Sequence, residues 1–137
     1  MKNMKEIVAK LSNMMVQMED AAKDQFNLSN LSHTQMNYLE TIHMLGNPNI
    51  TELANILKLS KPTVKVAIDK FIEREFVYKV QSDEDQRSSH IHLTEKGKLI
   101  NQMHDYAHKR IAELIGSKLN EKELQLLINL LTKVLSN

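Results

Sequence analysis

A chain of 137 residues with 18 Lys and Arg against 17 Asp and Glu, no cysteine, no tryptophan, three Gly and two Pro is long enough for one domain. At that length roughly 70% of the unfolded chain's surface is buried on folding. So few Gly and Pro cannot turn the hairpins of an all-β sandwich or barrel, and long helices are favoured. The lack of Cys excludes disulfide frameworks, zinc fingers, thiol nucleophiles and thiol-based oxidant sensing. No apolar run approaches the ~18 residues of a membrane span, and the amphipathic N-terminus is not a signal sequence, so a soluble cytoplasmic protein without a membrane partner is expected.

In the first segment Ile7, Leu11, Met14, Met18 and Ala21 recur at helical spacing, with Met4, Val8 and Met15 widening the stripe. Asn27–Asn30 is a polar break. Ser32 then caps a second helix to about Leu45, with Met36, Leu39 and Ile42 facing inward, and Gly46, Asn47 and Pro48 end it. A short third helix, Glu52–Lys58 with Thr51 as N-cap, presents Leu53, Ala54 and Leu57. A second start signal follows at once. Ser60 suits an N-cap and Pro62 is tolerated in the first turn of a helix running to about Glu75.

Two helices joined by so short a turn form a helix-turn-helix, whose second helix enters the DNA major groove. On a helical projection Val64, Ala67, Ile68, Phe71 and Ile72 face inward, while Pro62, Lys65, Val66, Asp69 and Glu73 lie opposite, flanked by Thr63 and Lys70. Charge distribution agrees. Lys58–Val80 carries six Lys and Arg against three Asp and Glu, an excess hidden by the net charge of +1. A solvated amphipathic helix would share much of this pattern, but an exposed Val66 between Lys65 and Lys70 suits a contact face.

Phe76–Val80 reads as a strand, Gln81–Ser89 as a polar loop, and His90–Leu93 as the returning strand with Ile91 and Leu93 on one face. Thr94 caps a long helix to about Gly116. Asn120 and Glu123 make a capping box for a last helix striped by Leu124, Leu127, Leu131 and Val134.

This order of elements resembles the multiple-antibiotic-resistance regulator (MarR) family of bacterial transcription factors. The match rests on Asp85-Gln86-Arg87, then, five residues on, Leu93-Thr94-Glu95-Lys96-Gly97, which follow the family's wing signature, with support from Leu59-Ser60 and from Phe71–Val77. The resemblance implies a mainly α fold with a small β-wing, a winged helix-turn-helix whose N- and C-terminal helices form a dimerisation region. Within a single 1–137 domain it places dimerisation helices at 1–31 and 94–137 and the winged unit at 32–93, with a recognition helix at about 60–75 and a wing at about 76–93. It implies a non-enzymatic, sequence-specific regulator of transcription, a ligand-responsive repressor. As a homodimer this would set recognition helices roughly 34 Å apart on double-stranded DNA, at a pseudo-palindromic operator.

Carried over by position, Ser60, Lys61, Pro62, Thr63, Lys65, Val66 and Lys70 form the major-groove set, with the lysines on phosphates and Thr63 and Val66 at base edges. Arg87, with Ser88, would reach the minor groove from the wing, and Asp85 would orient Arg87. The chain departs from the family in an acidic wing, Asp83-Glu84-Asp85, and in a recognition helix without arginine. Modest affinity, steep salt dependence and an A·T-rich site are the expectation. An acidic wing also leaves open a degenerate member acting through protein contacts. The Gly-x-Ser-x-Gly, Gly-rich phosphate-loop and His-Glu-x-x-His patterns of enzymes are absent from the sequence.

Two sensing modes stay open, and no cofactor is required by either. His104 and His108, at i and i+4, could chelate zinc with Glu19 and with His33, which stands one helical turn before Asn37, the position that resembles a ligand position of the family's zinc-sensing branch. Alternatively a small aromatic or lipophilic effector would sit among Met14, Met18, His33, Met36, Tyr38 and His104. Plain core packing of these methionines and histidines is the competing explanation.

Overall fold

A computed structural model describes residues 3–81 and 89–137. In chain order the elements are α1 (Met4–Gln25), α2 (His33–Leu45), α3 (Ile50–Leu57), α4 (Lys61–Glu73), β1 (Val77–Gln81), β2 (Ser89–Leu93), α5 (Glu95–Ser117) and α6 (Glu121–Leu135). The fold is helical with a small antiparallel β-ribbon, as expected for a winged helix-turn-helix.

Most helix starts follow local cap chemistry. Ser32 closes a reciprocal box with Gln35, Ser60 accepts from the Thr63 amide, and Thr94 accepts from the Gly97 amide. Asn120 and Glu123 form the predicted box. The exception is α3. Asn49, not Thr51, is its N-cap, because Asn49 pairs reciprocally with Glu52 and draws Ile50 and Thr51 into the first turn. The turn to α4 passes through Lys58 in the left-handed region (φ 57°).

The core gathers Leu39 and Ile42 of α2, Leu53 of α3, Val64, Ile68 and Phe71 of α4, Phe76, Val77 and Ile91 of the ribbon, and Ile100 and Met103 of α5. In the ribbon Val77 pairs with Leu93 and Lys79 with Ile91. The returning strand is pinned to the turn after α2 by an Ile91 amide that donates to the Pro48 carbonyl at 2.8 Å.

The terminal helices behave differently. In α1 only Ala22 is buried, Met14 and Met18 are half-buried, and Ala21, assigned inward from spacing, is exposed because the contact with α5 falls on the neighbouring residue. Ile7, Val8 and Leu11 remain uncovered, as do Leu130, Leu131 and Val134 of α6, which has no buried residue. On α5 the inward stripe is Ile100, Met103, Ala107 and Ile111. Next to Met103 and Ala107 in the chain, His104 is half-buried and His108 exposed.

Candidate nucleic-acid interface

The helix α4 is seated by its inward residues. Val64 and Ile68 are wholly buried, Phe71 packs edge-on against Phe76 and tilted against Tyr38, and Ala67 and Ile72 fill the margin. At its start the Ser60 hydroxyl lies 2.7 Å from that of Thr63, so the two polar side chains are held together at the helix entrance.

The opposite face is free. Lys61, Pro62, Thr63, Lys65, Val66 and Lys70 are all exposed, Val66 at 56%, as predicted from the helical projection. None of the described ion pairs engages Lys61, Lys65 or Lys70. Of the two acidic residues on this face, Asp69 and Glu73, Asp69 is paired with Lys79 of β1 at 3.6 Å, which draws its charge toward the wing. The result is a helix face with three exposed lysines and with exposed methyl and hydroxyl groups between them. Asp85, Arg87 and Ser88 lie outside the described residues.

The segment linking α4 to the wing and α5 explains the Leu93-Thr94-Glu95-Lys96-Gly97 motif. Thr94 donates from its hydroxyl to the Glu75 carbonyl and from its amide to the Phe76 carbonyl. Lys96 donates to the Arg74 carbonyl at 2.8 Å, and its ammonium lies 4.5 Å from the centre of the Phe76 ring, with the Arg74 guanidinium 5.2 Å from the same centre. Gly97 is required by proximity: a Cβ there would fall 2.1 Å from the Phe76 carbonyl oxygen. Glu75 makes the turn with φ 65°, in the left-handed region that favours glycine.

The six residues expected around an effector are distributed over separate features. Tyr38 lines a cavity of about 350 Å³ with Gln35, Thr63, Val66, Lys70 and Arg74, beside α4, and burial pushes its hydroxyl above the usual tyrosine range. Met18 lines another with Arg110, Glu113 and Leu114. Met36 is buried in the core, Met14 is half-buried, and His33 is exposed at the start of α2. Among the described residues no three His, Asp or Glu side chains converge in one chain to hold a metal, so Glu19, His33, His104 and His108 are not assembled as a site. His104 instead meets Glu40 of α2, 2.5 Å from Nε2 to Oε1, and its ring stacks on that of His108 with centres 6.0 Å apart. Glu40 was missed in the sequence reading, although it stands four residues after Met36 on the side of α2 that turns toward α5.

Residues 31–89 match the family model described as MarR family. The Bacillus subtilis HTH-type transcriptional regulator YpoP is 31% identical over 70 residues, 51% of this chain and 50% of YpoP, so the match spans about half of either protein. Among solved structures, Streptococcus pneumoniae FabT in complex with DNA shares the fold over 95% of this chain and 90% of its own, at 23% identity and a TM-score of 0.68. A mutant of Staphylococcus aureus MepR bound to an oligodeoxyribonucleotide covers 98% of this chain and 97% of its own, at 20% identity and a TM-score of 0.74. The helix-turn-helix and the first strand of the ribbon lie inside the segment that is similar to the MarR family, and the winged fold is shared with these structures over nearly the whole chain.

Proposed function

We propose that the protein is a DNA-binding regulator of transcription that works as a homodimer, with α4 of each protomer in a major groove and the wing alongside. The observation that carries this reading is the division of α4 into a fully packed inward face and an outward face that exposes Lys61, Thr63, Lys65, Val66 and Lys70. The DNA bound to the structurally similar FabT and MepR supports it. Pairing is supported by the uncovered apolar faces of α1 and α6, which a second copy would bury.

Repression is the sign we propose, relieved by an organic effector rather than by zinc, since the histidine set does not converge within the chain. Among the described residues no helix is long and apolar enough to cross a membrane. A gel-shift titration against the promoter of the protein's own operon tests DNA binding. Retarded DNA at sub-micromolar protein is the expected result, and binding no tighter to that promoter than to random DNA would refute it. Sedimentation of the free protein at the same concentrations tests the dimer, and a monomer would refute that part.

A further inference from the structure

The entrance of α4 carries two hydroxyls in contact. Ser60 Oγ accepts from the Thr63 amide at 3.2 Å and lies 2.7 Å from Thr63 Oγ1. Both residues are exposed, and Thr63 borders the same cavity as Val66 and Lys70, so its hydroxyl belongs to the outward face of the helix. A hydroxyl has one hydrogen to give and two lone pairs with which to accept. The direction of the bond between the two oxygens therefore fixes what Thr63 offers outside the chain.

The amide decides that direction. An oxygen that accepts one hydrogen bond becomes a better donor of the next, because bonds in a chain polarise one another. Ser60 Oγ already accepts from the Thr63 amide, so its own hydrogen goes to Thr63 Oγ1. The result is a one-way chain from the Thr63 amide through the Ser60 hydroxyl to the Thr63 hydroxyl, whose hydrogen is left to point away from the helix.

We propose that Ser60 is a positioning residue that makes Thr63 a hydrogen-bond donor to a base edge and so sets the base it reads. The proposal rests on the DNA-binding reading given above. In the major groove guanine and thymine present acceptors alone, adenine pairs its acceptor with an amino group, and cytosine presents only an amino group. A donor hydroxyl matches guanine or thymine. A hydroxyl able only to accept matches adenine or cytosine, so reversing the chain at Ser60 changes the base preferred at the position read by Thr63.

The test is selection of randomised duplexes by the full-length protein, followed by sequencing, for the parent, Thr63→Val, Ser60→Asn and the double variant. Asparagine caps helices about as well as serine. Its carbonyl oxygen carries no hydrogen, so in Ser60→Asn the Thr63 hydroxyl has to donate to the cap and can only accept from DNA. Ser60→Asp makes the same reversal and keeps the test open if Ser60→Asn fails to fold. We expect the parent to prefer one base by at least about fivefold at the position that Thr63 reads, and Thr63→Val to lose that preference. Ser60→Asn should move it, on the contacted strand, from guanine or thymine to adenine or cytosine, with the other positions unchanged. The double variant should match Thr63→Val, since the effect of Ser60 on sequence runs through Thr63. An unchanged preference in Ser60→Asn and Ser60→Asp, a shift that persists in the double variant, or no position altered by Thr63→Val would overturn the proposal and leave DNA binding standing. A parent protein that enriches no sequence would overturn the DNA-binding reading and the proposal together.

Discussion

The approach of α5 to the wing yields the sharpest stability prediction. In Gly97→Ala the added Cβ would sit 2.1 Å from the Phe76 oxygen, 3.1 Å from Leu93 Cδ2 and 3.2 Å from the Phe76 carbonyl carbon. Ordinary heavy-atom contact lies at roughly 3.5 Å, so one of two backbone segments must move by more than an ångström. Neither can rotate away as a side chain would. The Phe76 oxygen also accepts the Thr94 amide at 3.0 Å, so the movement stretches a hydrogen bond that contributes about 1 kcal/mol. Overpacking of this kind costs up to about 3 kcal/mol, and alanine in place of glycine within a helix returns at most about 1 kcal/mol.

The balance is a destabilisation of about 2 to 3 kcal/mol, which for a chain of this size lowers Tm by roughly 5 to 10 °C. Urea and thermal unfolding at one fixed protein concentration measure it, since the Tm of a dimer varies with concentration. Gly116→Ala is the control. There the nearest heavy atom to a new Cβ is Leu124 Cδ2 at 3.8 Å, an ordinary contact, so that variant should be as stable as the parent or up to about 1 kcal/mol more so. If Gly97→Ala matched Gly116→Ala, the close packing of α5 on the wing would not be what requires the glycine.

Glu75→Gly should stabilise the protein by roughly 0.5 to 1 kcal/mol in urea unfolding, because a left-handed residue is released from its Cβ clash at a smaller entropic cost. Lys65→Ala should weaken operator binding across all sequences and lower the salt slope of log K by about 1, read by gel shift or anisotropy between low and moderate salt. Val66→Ser should instead leave the salt slope unchanged and relax preference at one base pair. Tyr38 has its pKa raised by burial, so the neutral form is favoured in the fold. Its contribution is present below the usual tyrosine pKa and is lost as pH rises above about 10. Tyr38→Phe should flatten the alkaline limb of stability against pH, as followed by urea unfolding.

Features set by neighbours along the chain were legible in the sequence. The caps Ser32, Ser60, Thr94 and Asn120 bond to amides three residues on, and the inward face of α4 follows from helical spacing alone. The difference at α3 has the same local character: Asn49 stands two residues before Thr51, and the Glu52 side chain accepts from the Asn49 amide and closes the box there. Long-range placement was not legible. Neighbouring stripes on α5 differ by a single residue in azimuth, and only the packing of α1 and α2 selects Met103 and Ala107 over His104 and His108. Glu40 meets His104 across 64 positions, so the contact leaves no mark on local pattern.

The motif after β2 then acquires a mechanical meaning. Phe76 joins three elements: its carbonyl accepts from the cap of α5, its ring carries the Arg74 and Lys96 cations, and its edge meets Phe71 of α4. Each cation over an aromatic ring contributes about 0.5 to 1 kcal/mol at an exposed site, and the Lys96 bond to the Arg74 carbonyl closes the loop. The end of α4, the base of the wing and the first turn of α5 are therefore coupled tightly enough to move together. In the proposed dimer, a change in the spacing of the two recognition helices would then arise elsewhere than by bending at this junction. It would arise where the winged unit meets the terminal helices, a boundary at which α1 buries only Ala22, α5 turns Ile100, Met103, Ala107 and Ile111 inward, and Glu40 of α2 meets His104. Disrupting Glu40 or His104 should thus alter operator affinity without touching α4, whereas loosening Phe76 should degrade stability and affinity together.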